Sequence, residues 1–85
     1  MFNYIRTETS PESVIIFFKP RAMHLFTDHD SIMVLQCDHL TRGDFVALHK
    51  TWEYSQILPG EIRNCNVSLK ATFENRRFVV YRILK

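Results

Sequence analysis

Residues 62–85 carry Arg63, Lys70, Arg76, Arg77, Arg82 and Lys85 against a single carboxylate, Glu74. Residues 1–61 hold five basic and eight acidic side chains, so the overall charge of +2 hides a polarised chain. Guanidinium forks match phosphate oxygens two hydrogen bonds at a time. A cationic stripe on a near-neutral chain steers anionic partners. Asn75-Arg76-Arg77 falls where a hairpin tip is expected, with Lys70, Arg82 and Lys85 along its arms and Arg63 just before it. Phe78 and Tyr81 lie between these cations and offer ring faces on which a splayed base could stack. The same charge would also serve only to keep a small domain soluble.

Other constellations are thinner. Cys37, His39 and Cys65, with His29, Asp28 or Asp30, supply zinc-ligand types, but the close Cys pair of structural zinc sites is absent. The expectation is no bound metal and no cofactor. Two cysteines are too few for a disulfide scaffold, so both thiols are expected to be reduced. His49 and Glu53 are four residues apart and would face each other on a helix. Phosphodiester cleavage needs two groups converging on one phosphate, and the four histidines are scattered along the chain. Phosphate-binding loops of the GxxxxGK[ST] and GxGxxG types, HExxH and CxxC are all missing. An enzyme is therefore not expected. A small ribonuclease built on His24, His49, Arg77 and Tyr81 is the catalytic alternative.

The elements that would position these residues follow from periodicity. Phe2–Arg6 alternates like a short strand. Val14–Phe18 is continuously apolar and reads as a strand buried on both faces. Lys19-Pro20-Arg21 breaks it. Met23–Phe26 and Ile32–Cys37 read as two strands joined by the acidic turn Thr27–Asp30. Thr41 followed by Asp44 suggests a capping box, Leu40 and Phe45 a hydrophobic staple, and Phe45, Leu48 and Trp52 one apolar helical face. Leu58-Pro59-Gly60 ends that helix. Val67, Leu69, Ala71 and Phe73 alternate with polar residues, as do Val79, Tyr81 and Ile83 after the expected turn. A three-residue loop would place these two sets on one face, with Lys70, Phe78 and Arg82 on the outer one. A two-residue loop would turn Phe78 and Val80 inward instead.

The expected fold is one α+β domain over residues 1–85, an antiparallel sheet in the order β-β-β-β-α-β-β with one helix on one face. No apolar run approaches membrane length, and the N-terminus lacks the pattern of a signal peptide. A cytoplasmic setting is expected, in which Asn66-Val67-Ser68 matches the glycosylation sequon by chance. The functional expectation is a small non-enzymatic nucleic-acid-binding regulator, RNA rather than duplex DNA. Its site would be Arg63, Lys70, Arg76, Arg77, Phe78, Arg82 and Lys85. RNA or a ribonucleoprotein is the expected partner, and a free sheet edge could pair two copies. By composition and not by any motif, the chain resembles phage-encoded accessory proteins that inhibit a host nuclease, toxin or defence complex. An inhibitor that docks an acidic protein on the same basic face is the second reading.

Overall fold

Residues 45–49, read from sequence as the start of a helix, form the central strand of a five-stranded sheet. The computed structural model describes residues 1–85. In chain order it contains α1 (Phe2–Glu8), β1 (Ile15–Ile16), α2 (Pro20–Thr27), β2 (Ser31–Ile32), β3 (Phe45–His49), β4 (Ser68–Glu74) and β5 (Phe78–Leu84). Two 3-10 turns, Cys37–Arg42 and Ile62–Asn64, interrupt the loops. The sheet order is β2-β1-β3-β5-β4. β1 pairs in parallel with β2 and with β3, whereas β5 runs antiparallel to β3 and β4. The fold is α+β, but its sheet is mixed and its helices precede the central strand.

Four expected elements are corrected. Phe2–Arg6 is helical because Ile5 buries completely on the sheet, and Thr9 Oγ1 bonds back to Ile5 O at 2.6 Å. So short a helix has no stability of its own and exists through that packing. Met23–Phe26 lies in α2. Pro20 starts this helix instead of merely breaking a strand, since its fixed φ and missing N–H suit the first turn. Asp28 ends α2 in the left-handed region at φ 59°, its N–H donating to His24 O at 2.8 Å. The hairpin expected over residues 23–37 is therefore a parallel β1–α2–β2 unit, and regular pairing in the second arm stops at Ile32.

The 41–52 helix is the fourth correction. Val46 and Leu48 pack on one side of the sheet and Ala47 on the other, so a strand buried on both faces carries the apolar run. Thr41 is exposed within the first 3-10 turn. Asp44 ties strands together instead of completing a capping box. Its Oδ2 accepts from Val14 N at 2.8 Å, its carbonyl accepts from Ile83 N at 2.9 Å, and Oδ1 faces Lys85 Nζ at 3.3 Å. Beside it, a Cβ on Gly43 would come within 2.6 Å of Ile16 Cγ1, so the close approach of this loop to β1 needs glycine.

The hydrogen bond from Val14 N holds the Asp44 carboxyl below its ordinary value of 3.8, helped by Lys85 and opposed by desolvation. A depressed folded-state value means stability that is present above the unfolded value and lost as pH falls through the folded one. Asp44→Asn is expected to unfold more readily than the parent at neutral pH and to match it in strong acid. Denaturation midpoints measured across that range check this, and a gap that persists in acid would contradict it.

Two core layers flank the sheet. Ile5, Ile15, Phe17, Met23, Ala47 and Val80 form the layer under α1 and α2. On the other face Ile16, Val34, Leu40, Val46, Leu48, Ile57, Ile62, Cys65, Val79 and Ile83 pack beneath loops and 3-10 turns. Cys37 and Cys65 are joined by a disulfide within this second layer, which corrects the expectation of two free thiols. No helix is long and apolar enough to cross a membrane.

Candidate functional site

The C-terminal hairpin expected from alternation is present, and both anticipated registers occur in it. Lys70 pairs with Arg82, and Leu69 with Ile83 and Ala71 with Tyr81 share a face, as a three-residue loop requires. A bulge at Thr72 then shifts the register, so Phe73 pairs with Val80 on the helix-covered face. Tyr4 of α1 stacks on Phe73 with ring centroids 4.8 Å apart. The face expected to be open at Phe78 is covered there by the core layer under α1 and α2, while Lys70 and Arg82 further along it remain exposed. The Phe78 ring is half-buried, 6.1 Å from Phe17 and edge-on to His49 at 5.0 Å.

The seven candidate residues do not form one stripe. Arg76 and Arg77 stand exposed at the tip. The tip is held by an Asx turn in which Asn75 Oδ1 accepts from Arg77 N at 3.0 Å and Phe78 N at 2.8 Å. Lys50 N donates to Arg77 O at 2.7 Å and ties the tip to the end of β3. Arg82 and Lys85 lie at the opposite end of β5, lining a groove of about 570 Å³ that also contains Glu8 and Asp44. Carboxylates therefore offset their charge, and Lys85 is ion-paired to Asp44. Lys70 is exposed beside Arg82 on the edge strand. Arg63 belongs to the loop-covered side, near Val67, Leu69, Ala71 and Tyr81.

The tip has neighbours that sequence reasoning missed. Trp52, expected as core, is 43% exposed, and Tyr54 is 67% exposed. Their rings lie 5.9 Å apart at 75°. Trp52 also rests 5.8 Å from Phe18 and 6.3 Å from His49. Lys19 Nζ sits 5.6 Å over the Phe18 ring. The end of the sheet where β1 and β3 finish and β5 begins is thus an aromatic surface bordered by Lys19, Lys50, Arg76 and Arg77. Lys50 is ion-paired to Glu74 of β4, and Glu53 stands between Trp52 and Tyr54 in sequence.

That loop is held from inside. The buried Gln56 accepts from His49 N at 3.0 Å and donates to His49 O at 2.8 Å and Trp52 O at 2.9 Å, so its amide stands in for a neighbouring strand. Ser55 turns the chain at φ 62°. One cue was legible: residues 51–55 alternate polar and aromatic, and no apolar residue follows Trp52 at helical spacing.

The remaining candidates separate. His49 and Glu53 do not share a helix. His49 Nδ1 accepts from Thr51 N at 3.3 Å, and its ring packs among Phe18, Trp52 and Phe78. His29 is buried, its ring nitrogens 2.9 Å from Thr27 O and 2.9 Å from Ser10 O, and it fastens the exit of α1 to that of α2. The two cysteines considered as metal ligands bond each other, and no group of three or more His, Cys, Asp or Glu side chains converges on one point. The chain matches no protein-family model, no curated protein and no solved structure.

Proposed function

We propose that the chain is a non-enzymatic nucleic-acid-binding protein that takes RNA through the tip of its C-terminal hairpin. The observation that carries this reading is the pair of exposed arginines held on an Asx turn with no carboxylate bonded to either. A fixed backbone reduces the ordering cost of placing two guanidinium forks on adjacent phosphates. Lys70 and Arg82 extend the same hairpin and would follow the backbone of a longer strand, while Lys85 is occupied by Asp44. Arg63, on the loop-covered side, is assigned no contact, and Phe78 supports the tip by packing.

The cytoplasm is the compartment proposed with this reading. Cytosolic thiols reduce accessible disulfides. Alkylation in whole cells before lysis tests it: two blocked cysteines are expected for a cytoplasmic chain, and none, with the Cys37–Cys65 bond intact, would contradict that compartment.

Arg76→Ala combined with Arg77→Ala tests the reading. RNA affinity is expected to fall for every sequence. The slope of log affinity against log salt is expected to drop by about 1.4, at about 0.7 for each single-strand phosphate left without its arginine. A variant that melts like the parent and binds RNA with unchanged affinity and salt slope would overturn the proposal.

A further inference from the structure

We infer that the exposed Trp52–Tyr54 pair is a stacking platform for unpaired bases, so that the nucleic acid this chain takes is single-stranded. This rests on the proposed RNA reading and deepens it. Exposed aromatic rings are costly to leave in water, and these two are held out by a purpose-built loop. Gln56 spends all three of its hydrogen bonds on the backbone of His49 and Trp52. Trp52 is braced from beneath by Phe18 and His49, whereas Tyr54 contacts Trp52 alone among the aromatic rings.

Charge selects the occupant. Lys19 Nζ lies over Phe18, the ring that Trp52 packs beside. Lys50 N–H donates to Arg77 O, which ties the backbone of the Arg76-Arg77 tip to the chain two residues before Trp52. Glu74 is held by Lys50, and Glu53, between Trp52 and Tyr54 in sequence, is the opposing charge next to the rings. Aromatic faces bordered by Arg and Lys fit a polyanion with flat apolar rings along it, and every base has such a face.

Ring geometry then selects the strand form. At 75° to each other, the two rings cannot both continue one column of stacked bases. Successive bases seated on them must be splayed, which a free strand or a loop permits and a paired helix does not.

Trp52 is the only tryptophan, so its emission reports the platform directly. A dye-labelled short oligouridylate and its duplex with oligoadenylate are the probes, with dye anisotropy reporting binding and Trp52 emission reporting stacking. The single strand is expected to bind more tightly than the duplex and to quench Trp52. Trp52→Ala and Tyr54→Ala are each expected to weaken binding about 5- to 150-fold, and Trp52→Phe to restore most of it. Glu53→Gln should tighten binding. Anisotropy that rises with Trp52 emission unchanged, and with Trp52→Ala binding like the parent, would overturn the platform and leave the hairpin reading standing. Equal affinity for the duplex would also overturn it. No binding of either probe would overturn both.

Discussion

Leu48→Ala is expected to cost about 2–5 kcal/mol of stability, while Trp52→Ala costs well under half as much. Leu48 is 1% exposed at the middle of the loop-covered core, with Val46, Val79 and Ile83 in the same layer. Truncation leaves a cavity that β3 cannot collapse into, because β5 pairs with it through Val79 at this position and the Gln56 amide holds both backbone groups of the next residue, His49. Trp52 already stands 43% in water and rests on Phe18 and His49 by one face, so its removal leaves no enclosed void. On a helix with Phe45, Leu48 and Trp52 on one buried stripe, the two substitutions would have comparable effects. Chemical denaturation of the two variants side by side separates the alternatives. A Trp52→Ala midpoint as low as that of Leu48→Ala would contradict the strand assignment.

That contrast shows why the middle of the chain was illegible. Phe45–His49 is apolar on both sides, and such a run has no period of two to display. The chance recurrence of Phe45, Leu48 and Trp52 at helical spacing then decided the reading. Val14–Phe18 has the same two-sided pattern, and its bounding polar turn and proline leave little room for a helix; the strand there covers only Ile15–Ile16 of the five residues expected. The C-terminal hairpin was the most legible element, since β4 and β5 alternate. Even there Thr72 carries no cue for a bulge, and the bulge decides that Phe73 joins Phe78 and Val80 on the helix-covered face. The α-helices were missed for another reason. Ile5 and Met23 are single fully buried anchors in short segments, and what makes those segments helical is the sheet they lie on, several strands away in sequence.

The candidate site divides along the same line. Arg76 and Arg77 were legible because charge and turn residues are local signals. The arrangement that gives them company was not, because it joins Phe18, Trp52, Tyr54 and the hairpin tip through tertiary pairing of β1, β3 and β5. Arg82 and Lys85 lie near the tip in sequence and away from it in space. A seven-residue strand separates its ends by roughly 20 Å.

Reducing the Cys37–Cys65 disulfide is expected to destabilise the fold by about 3–4 kcal/mol, and replacing both cysteines by alanine should do the same. The bond closes a loop over a sequence separation of 28, and that loop contains the first 3-10 turn, all of β3, the Trp52–Tyr54 segment and the second 3-10 turn. Opening it returns conformational freedom to the unfolded chain, and the cost grows slowly with loop length. The folded side matters as well. The layer over Leu40, Leu48, Ile57 and Ile62 contains no α-helix, so little regular backbone holds it down apart from the two 3-10 turns that the disulfide ties together. Loss of the bond should therefore loosen this layer before the layer under α1 and α2. Denaturation midpoints with and without reductant measure the first effect, and amide exchange resolved by residue measures the second. The Cys37→Ala, Cys65→Ala variant is expected to match the reduced parent and to ignore reductant. A parent whose midpoint does not move on full reduction would show that Cys65, 6% exposed, contributes by burial alone and that the bond holds nothing together.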